Sequence, residues 1–134
     1  MNGQGGRLEV ASDQDVVRVR QLVRSVAVAV CLSLVDQTKI VTAASELARN
    51  TLVHGRGGTV VVSQVDNGRR QGIRIVFTDH GPGIADLDLA FTDGYTTSGG
   101  LGLGLSGARR LVDEFDIETA VGQGTSITVT KWCR

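Results

Sequence analysis

Glycine makes up 18 of the 134 residues, and most of it lies in four clusters, at 55–58, 81–83, 99–107 and 122–124. This is about twice the usual share of glycine. Glycine is favoured where the backbone turns sharply or comes very close to a ligand. Because 41% of the residues are hydrophobic, the chain as a whole is expected to be ordered. The clusters therefore indicate binding loops between ordered segments rather than a flexible linker.

The segments between the clusters predict an α+β fold. Residue patterns predict strands at 7–11, 59–66, 72–79, 115–121 and 126–132, helices at 13–31, about 37–53 and 105–114, and a helical turn at 86–92. Ser12 or Asp13 is expected to cap the first helix and Asp36 the second. Asn67-Gly68 predicts a hairpin. The order favours a two-layer α/β sandwich with helices on one face, formed by residues 1–134 as a single domain.

Charge and hydropathy argue against several classes of function. Lys plus Arg and Asp plus Glu both total 14, without a basic cluster, so neither nucleic acid nor an anionic membrane is an expected partner. No run of eighteen apolar residues predicts a membrane span. The first residues lack the basic and apolar regions of a signal peptide, and the two cysteines do not make a disulfide framework. We expect a cytoplasmic protein.

Glu46 and Asn50 are the polar pair of the second predicted helix. They are four residues apart, so they lie one turn from each other on the same face, on a helix whose stripe of Ile40, Ala44, Leu47 and Thr51 is expected to face the core. A solvated helix face explains the pair alone. A site explains it too, because an amide oxygen suits Mg²⁺ and a carboxylate can accept a proton from a hydroxyl.

Asp79 ends a predicted strand and is followed by Gly81 and Gly83 in a Gly-Pro-Gly turn. It shares the inward register of Ile75 and Phe77, and an inward carboxylate needs hydrogen-bond donors. An exocyclic amine such as that of adenine is one such donor, although a simple turn beginning with Asp is the alternative.

A second glycine-rich stretch, Ser98-Gly-Gly-Leu-Gly-Leu-Gly104, runs into the third predicted helix. Its backbone N–H groups are suited to an anion, and a flexible lid explains the composition equally well. No Lys follows the last glycine, so it is not a Walker loop. Near the end of the chain, Gly122-Gln-Gly-Thr125 is expected to be a hairpin turn, and Thr125 matters only if it closes the same pocket as Asp79.

The order and spacing of these four motifs resemble the N, G1, G2 and G3 boxes of the GHKL ATPase superfamily, which includes gyrase, Hsp90, histidine kinases and MutL. The resemblance runs from about residue 36 to the end and implies the Bergerat fold, a mixed, mostly antiparallel sheet with helices on one face. Within the superfamily, 93–104, 107–115 and the ending Lys131-Trp132 resemble the stand-alone anti-sigma-type serine/threonine kinases, most of all the RsbT-type stressosome switch kinases.

The resemblance implies a role for each matching position. Glu46 would be the catalytic carboxylate and Asn50 the Mg²⁺ ligand, and Asp79 would bind the adenine of ATP. The other implied nucleotide contacts are Gly81, Gly83, Ile84, Thr97, Ser98, Gly99, Gly100, Leu101, Gly102, Leu103, Gly104 and Thr125. The cation that faces the transferred phosphate stays unassigned, with Arg49 the candidate.

The resemblance also implies partners. They are a STAS-domain antagonist as substrate and a PP2C-type phosphatase that the released kinase activates, and a homodimer is compatible with it. Two alternatives remain open. One is an anti-sigma factor that binds a sigma factor directly and phosphorylates an anti-anti-sigma factor; the other is a nucleotide-gated binding module without turnover.

Overall fold

The computed structural model describes residues 5–85 and 104–134. Eight elements follow one another in these ranges: β1 (Gly5–Val10), α1 (Asp13–Ala29), α2 (Leu34–Val53), β2 (Gly58–Asp66), β3 (Gln71–Asp79), α3 (Gly104–Arg110), β4 (Glu114–Ala120) and β5 (Gly124–Trp132). The predicted order of strands and helices is confirmed here. The helical turn expected at 86–92 lies outside the described residues.

The five strands form one sheet in the order β1-β2-β3-β5-β4, and helices pack on one of its faces. Every pairing between the described strands is antiparallel, so this part of the sheet contains no parallel pair and is not mixed. Ile73, Ile75 and Phe77 of β3 belong to the same buried core as Val23 of α1 and Leu47 of α2. The predicted two-layer sandwich is confirmed. None of the helices among the described residues has the length and apolar character needed to cross a membrane.

The start of α1 is stabilised by Asp15 rather than by the residue that precedes the helix. Ser12 is the N-cap residue, as expected, but its side chain makes no capping hydrogen bond. The Asp15 carboxylate instead accepts from the backbone N–H of Ala11 at 2.9 Å and from the Ser12 hydroxyl at 3.2 Å. The Ala11 N–H is the main reason that the pKa of Asp15 lies below its usual value.

The start of α2 differs from the prediction. Ser33 is the N-cap, and its side chain accepts from the Asp36 N–H at 3.1 Å, so the expected capping role of Asp36 is wrong. The Asp36 carboxylate turns inward because Lys131 Nζ lies 3.6 Å away, and both side chains are buried. Lys131 also lies 3.8 Å from Asp113, and Arg134 pairs with both carboxylates. These four residues form an ion cluster at one end of the sheet.

Two further boundaries depend on pairing. The β2–β3 hairpin is confirmed, but its loop has four residues, 67–70, because Asp66 pairs with Gln71. The Asn67 side chain accepts from two N–H groups of this loop and stabilises it. α3 ends at Arg110, short of the predicted 114, because Asp113 donates its N–H to Thr130 and Glu114 begins β4.

Candidate nucleotide-binding site

A row of polar residues crosses the inner face of the sheet at the end opposite to the ion cluster. Antiparallel pairing places Asp79 of β3 beside Gly58 of β2 on one side and Thr125 of β5 on the other, and Thr125 in turn pairs with Thr119 of β4. The register is that of buried Phe77, two residues before Asp79. The structure therefore brings Asp79 and Thr125 together, which the sequence left open.

The Asp79 carboxylate is half-buried and only partly satisfied. Its Oδ1 accepts from the N–H of Gly81 at 2.9 Å, and its Oδ2 accepts no hydrogen bond from the part of the chain that the structure describes. Gly55, just after α2, lies directly against this carboxylate: a β-carbon at residue 55 would come within 2.6 Å of Oδ2 and closer still to Cγ. An acceptor oxygen beside a position without a side chain is suited to a flat ligand with an N–H donor.

The loop after Asp79 is fastened to the β4–β5 hairpin. Gly83 has φ +75°, and a β-carbon there would approach the Ala120 carbonyl oxygen to 2.2 Å, so only glycine fits. The Gly122 N–H donates to the Pro82 carbonyl at 2.8 Å. The Ile84 N–H donates to the Thr119 hydroxyl at 2.9 Å. Gly83 and Ile84, both predicted site residues, are therefore held beside the polar row.

Thr119 is a residue of this site that the sequence analysis missed. Its Oγ1 accepts from Ile84, lies 2.9 Å from the Thr125 hydroxyl and donates to the Gly124 carbonyl at 3.1 Å. One hydroxyl thus joins the loop after β3 to both strands of the last hairpin. The alternation with Ile117 was the available signal, because it places Thr119 on the inner face.

The second part of the site lies on α2. The predicted inner stripe of Ile40, Ala44, Leu47 and Thr51 is buried, and Glu46 and Asn50 beside it are half-buried. The backbone carbonyl of Asn50 accepts from the Gly55 N–H at 3.1 Å, and Gly55 lies against the Asp79 side chain. Asn50 and Asp79 therefore lie at the same end of the fold.

The structure bears on two expectations about charge: Arg49 as the cation facing the phosphate, and the ligands of Mg²⁺. Arg49, the candidate cation, lies 3.8 Å from Asp13 of α1 and is about half-exposed. Within residues 5–85 and 104–134, no three His, Cys, Asp or Glu side chains gather as a metal cluster. The expected Mg²⁺ ligation rests on Asn50 alone.

The expected glycine-rich segment is only partly within the described residues. Gly104 begins α3 with φ +68°, and Leu105 after it is buried. The other predicted contacts of this segment lie outside the described residues: Thr97, Ser98, Gly99, Gly100, Leu101, Gly102 and Leu103.

The amino-acid sequence is similar to those of known proteins. Residues 35–133 match the family described as histidine kinase-, DNA gyrase B-, and HSP90-like ATPase. The chain is 42% identical over 127 residues to the serine/threonine-protein kinase RsbT of Bacillus subtilis (strain 168), with 95% of this chain and 96% of that protein covered. It is 32% identical over 117 residues to the anti-sigma F factor of Clostridium novyi (strain NT), with 79% and 81% covered.

The fold also matches a solved structure. The crystal structure of the RsbU and RsbW domains of a Mycobacterium tuberculosis protein superposes with a TM-score of 0.64 at 24% identity. The match covers 96% of this chain but 33% of that longer one, so the chain corresponds to about one third of it. At this identity the likeness is one of fold.

Proposed function

The chain belongs to the family of histidine kinase-, DNA gyrase B- and HSP90-like ATPases, and from this premise we propose that it is an ATP-dependent serine/threonine-protein kinase of a bacterial partner-switching pathway. Its likeness to a serine/threonine-protein kinase extends over 95% of the chain and so is not confined to the nucleotide motifs. The observation that carries the proposal is the open Asp79 carboxylate facing Gly55 at one end of the polar row.

In the proposed complex, the adenine of ATP binds at the polar row that contains Asp79 and Thr125. Asp79 Oδ2 accepts a hydrogen bond from the exocyclic amine of adenine, and guanine, which has a carbonyl at that position, is rejected. Gly81, Gly83 and Ile84 form the adjoining wall, and Thr125 contacts the base through water. Residues 97–104 are proposed to contact the phosphates.

The proposed chemistry uses two side chains of α2, Asn50 and, one helical turn before it, Glu46. Asn50 would hold Mg²⁺ through its amide oxygen, and such an ion would supply neutralisation of the charge on the phosphate oxygens. Glu46 accepts the proton of the attacking serine or threonine hydroxyl, whose oxygen forms a bond to the γ-phosphorus while the bond to the ADP oxygen breaks. Positioning and charge neutralisation supply most of the rate enhancement, because phosphoryl transfer demands little covalent chemistry from the protein.

The proposed partners follow from the same pathway. The substrate is a STAS-domain antagonist, and phosphorylation releases the kinase, which then activates a PP2C-type phosphatase. This scheme needs neither nucleic acid nor a membrane and places the protein in the cytoplasm. A homodimer is compatible with it.

The test separates transfer from binding. Glu46→Gln keeps the size of the side chain but removes its basicity, so we expect near-normal ATP affinity. Transfer of radiolabelled phosphate to a STAS-domain protein of the same organism should fall on the order of 10²–10⁴-fold. Because the variant cannot phosphorylate its partner, it should stay bound to it on gel filtration with ATP present.

Glu118→Gln is the matched control, since Glu118 is exposed on the outer face of β4. It should transfer phosphate at the parent rate. Transfer by Glu46→Gln at that same rate would contradict the proposed role of Glu46 and favour a nucleotide-gated binding module.

A second candidate is an anti-sigma factor that binds a sigma factor directly and phosphorylates an anti-anti-sigma factor. The 32% identity to an anti-sigma F factor favours it. Immobilised protein incubated with the purified sigma factors of its own organism distinguishes the two. A stable sigma complex supports the second candidate, whereas capture of the STAS protein and the phosphatase without sigma supports the first.

A further inference from the structure

A groove of about 410 Å³ lies between three loops at the end of the sheet that carries Asp79. Its walls are the turn 55–57 after α2, residues 80–82 after β3, and Gly122 of the β4–β5 hairpin. Gly55 and Gly81 also border the proposed base site, but the side chains of Arg56, His80 and Pro82 have no part in the base contact of Asp79 or in the catalytic pair on α2. The proposed kinase reaction therefore leaves these three side chains unexplained.

Arg56 is the unusual residue of this groove. It has φ +61°, in the left-handed region that strains a residue with a β-carbon. This conformation allows the next residue, Gly57, to donate its N–H to the Thr51 carbonyl at 2.9 Å and close the end of α2. The fold alone would favour glycine at residue 56, as it has at 55, 57 and 58. An arginine kept in a strained conformation indicates a role for its side chain.

The charge of the groove indicates what that role is. Arg56 and His80 are exposed, and neither side chain has a hydrogen bond or ion pair to any described residue. None of the described residues that line the groove is Asp or Glu, and the Asp79 carboxylate lies against Gly55, one of these residues. An unpaired guanidinium matches a carboxylate in bidentate geometry. The groove thus offers a cation that has no partner within residues 5–85 and 104–134.

The size and edge of the groove indicate the kind of ligand. Its volume is several times that of a single carboxylate or phosphate group. Pro82 at its wall is exposed, and Val121, next to Gly122, is 70% exposed. We propose that this groove docks an acidic, extended segment of a partner protein, with a carboxylate on Arg56 and a neighbouring apolar side chain against Val121. The inference does not depend on kinase activity, because docking requires no nucleotide.

The test uses the complete chain, labelled with ¹⁵N, and the peptide acetyl-Glu-Val-Glu-Val-Glu-amide in the absence of nucleotide. We expect saturable NMR shifts at the amides of Arg56, Gly57, His80 and Gly122. Arg56→Gly should weaken this binding at least tenfold while its Tm rises by about 3–5 °C, because glycine relieves the strain. Arg56→Lys keeps the charge but loses the bidentate geometry, so it should bind the peptide more weakly than the parent and more tightly than Arg56→Gly.

Two further variants and a basic peptide serve as controls for the role of Arg56. Arg56→Asn, which tolerates the left-handed conformation, should lose binding as Arg56→Gly does, and Arg69→Ala in the β2–β3 loop should bind as the parent does. The proposal is overturned if the peptide shifts none of these amides, or if acetyl-Lys-Val-Lys-Val-Lys-amide binds equally well. Sodium phosphate binding as tightly at the same amides would identify a small-anion site instead. A lower Tm for Arg56→Gly would remove the argument from strain.

Discussion

Replacement of Thr119 by valine tests whether one hydroxyl holds the nucleotide site together. Valine has the shape of threonine, so the sheet keeps its packing while three hydrogen-bond links disappear: to the Ile84 N–H, to the Thr125 hydroxyl and to the Gly124 carbonyl. Each protein group left without a partner costs about 1–3 kcal/mol when fully buried. The site is half-buried and water can reach part of it, so we expect the free energy of unfolding to fall by about 1–2 kcal/mol.

The effect on nucleotide binding follows from the loop that Thr119 holds. Without the Thr119 hydroxyl, Gly83 and Ile84 lose an anchor and must be ordered when ATP binds. If this ordering also costs about 1–2 kcal/mol, the Kd for ATP rises by about 5–30-fold, since about 1.4 kcal/mol is tenfold. Isothermal calorimetry with ATP and with ADP measures the affinity, and urea unfolding measures the stability. At saturating ATP the transfer rate should be close to that of the parent, because Thr119 does not contact the reacting atoms.

Two variants make this test specific. Thr119→Ser restores the hydroxyl and should recover most of the affinity. Thr128→Val makes the same chemical change on the outer face of β5, where it should leave nucleotide affinity unchanged. If Thr119→Val binds ATP as tightly as the parent, the idea that Thr119 positions the loop is wrong. Equal loss in Thr128→Val would mean that any polar change in this sheet weakens the site.

Three other predictions use single measurements. Asp79→Asn can donate as well as accept, so ATP binding should weaken by roughly 1.5–3 kcal/mol, and the parent should prefer ATP to GTP; equal binding of both nucleotides by the parent would sink the adenine assignment. Asn50→Ala should weaken Mg-ATP binding in calorimetry and abolish transfer with an unchanged circular dichroism spectrum, and unchanged affinity and activity would remove Asn50 from the site. Asp15→Ala should lower the Tm at pH 7. The Ala11 N–H lowers the folded pKa of Asp15 below 3.8, so its contribution is present above that pH and is lost as the pH falls through the folded pKa. Tm values of parent and variant should therefore converge at acidic pH, and a constant difference would contradict the linkage.

The main parts of the site were predictable because local periodicity fixes which way a side chain faces. The alternation of Ile75 and Phe77 placed Asp79 on the inner face, and four-residue spacing placed Glu46 and Asn50 on one side of α2. Both patterns depend only on neighbouring residues. The glycine clusters at 81–83 and 122–124 likewise marked the turns that meet beside Asp79.

The missed features depend on residues far apart in the sequence. The alternation with Ile117 gives the face of Thr119, but its role in the candidate site depends on the loop that brings Ile84, 35 residues away, to its hydroxyl. The capping of α2 was wrong because Lys131, almost a hundred residues away, draws the Asp36 carboxylate inward and leaves the cap to Ser33. No local pattern contains these contacts.

Two carboxylates at opposite ends of the helix-covered face of the sheet show how a binding site differs from a structural ion pair. Asp36 is buried and is neutralised by Lys131 at 3.6 Å and by Arg134. Asp79 is half-buried, accepts one N–H from Gly81, and has no cation among the described residues. A carboxylate removed from water requires compensation, which is complete for Asp36 and, among the described residues, only partial for Asp79. Since no described residue supplies a second donor, Asp79 Oδ2 is left to accept from water or a ligand, and this favours that end of the sheet for the proposed nucleotide site.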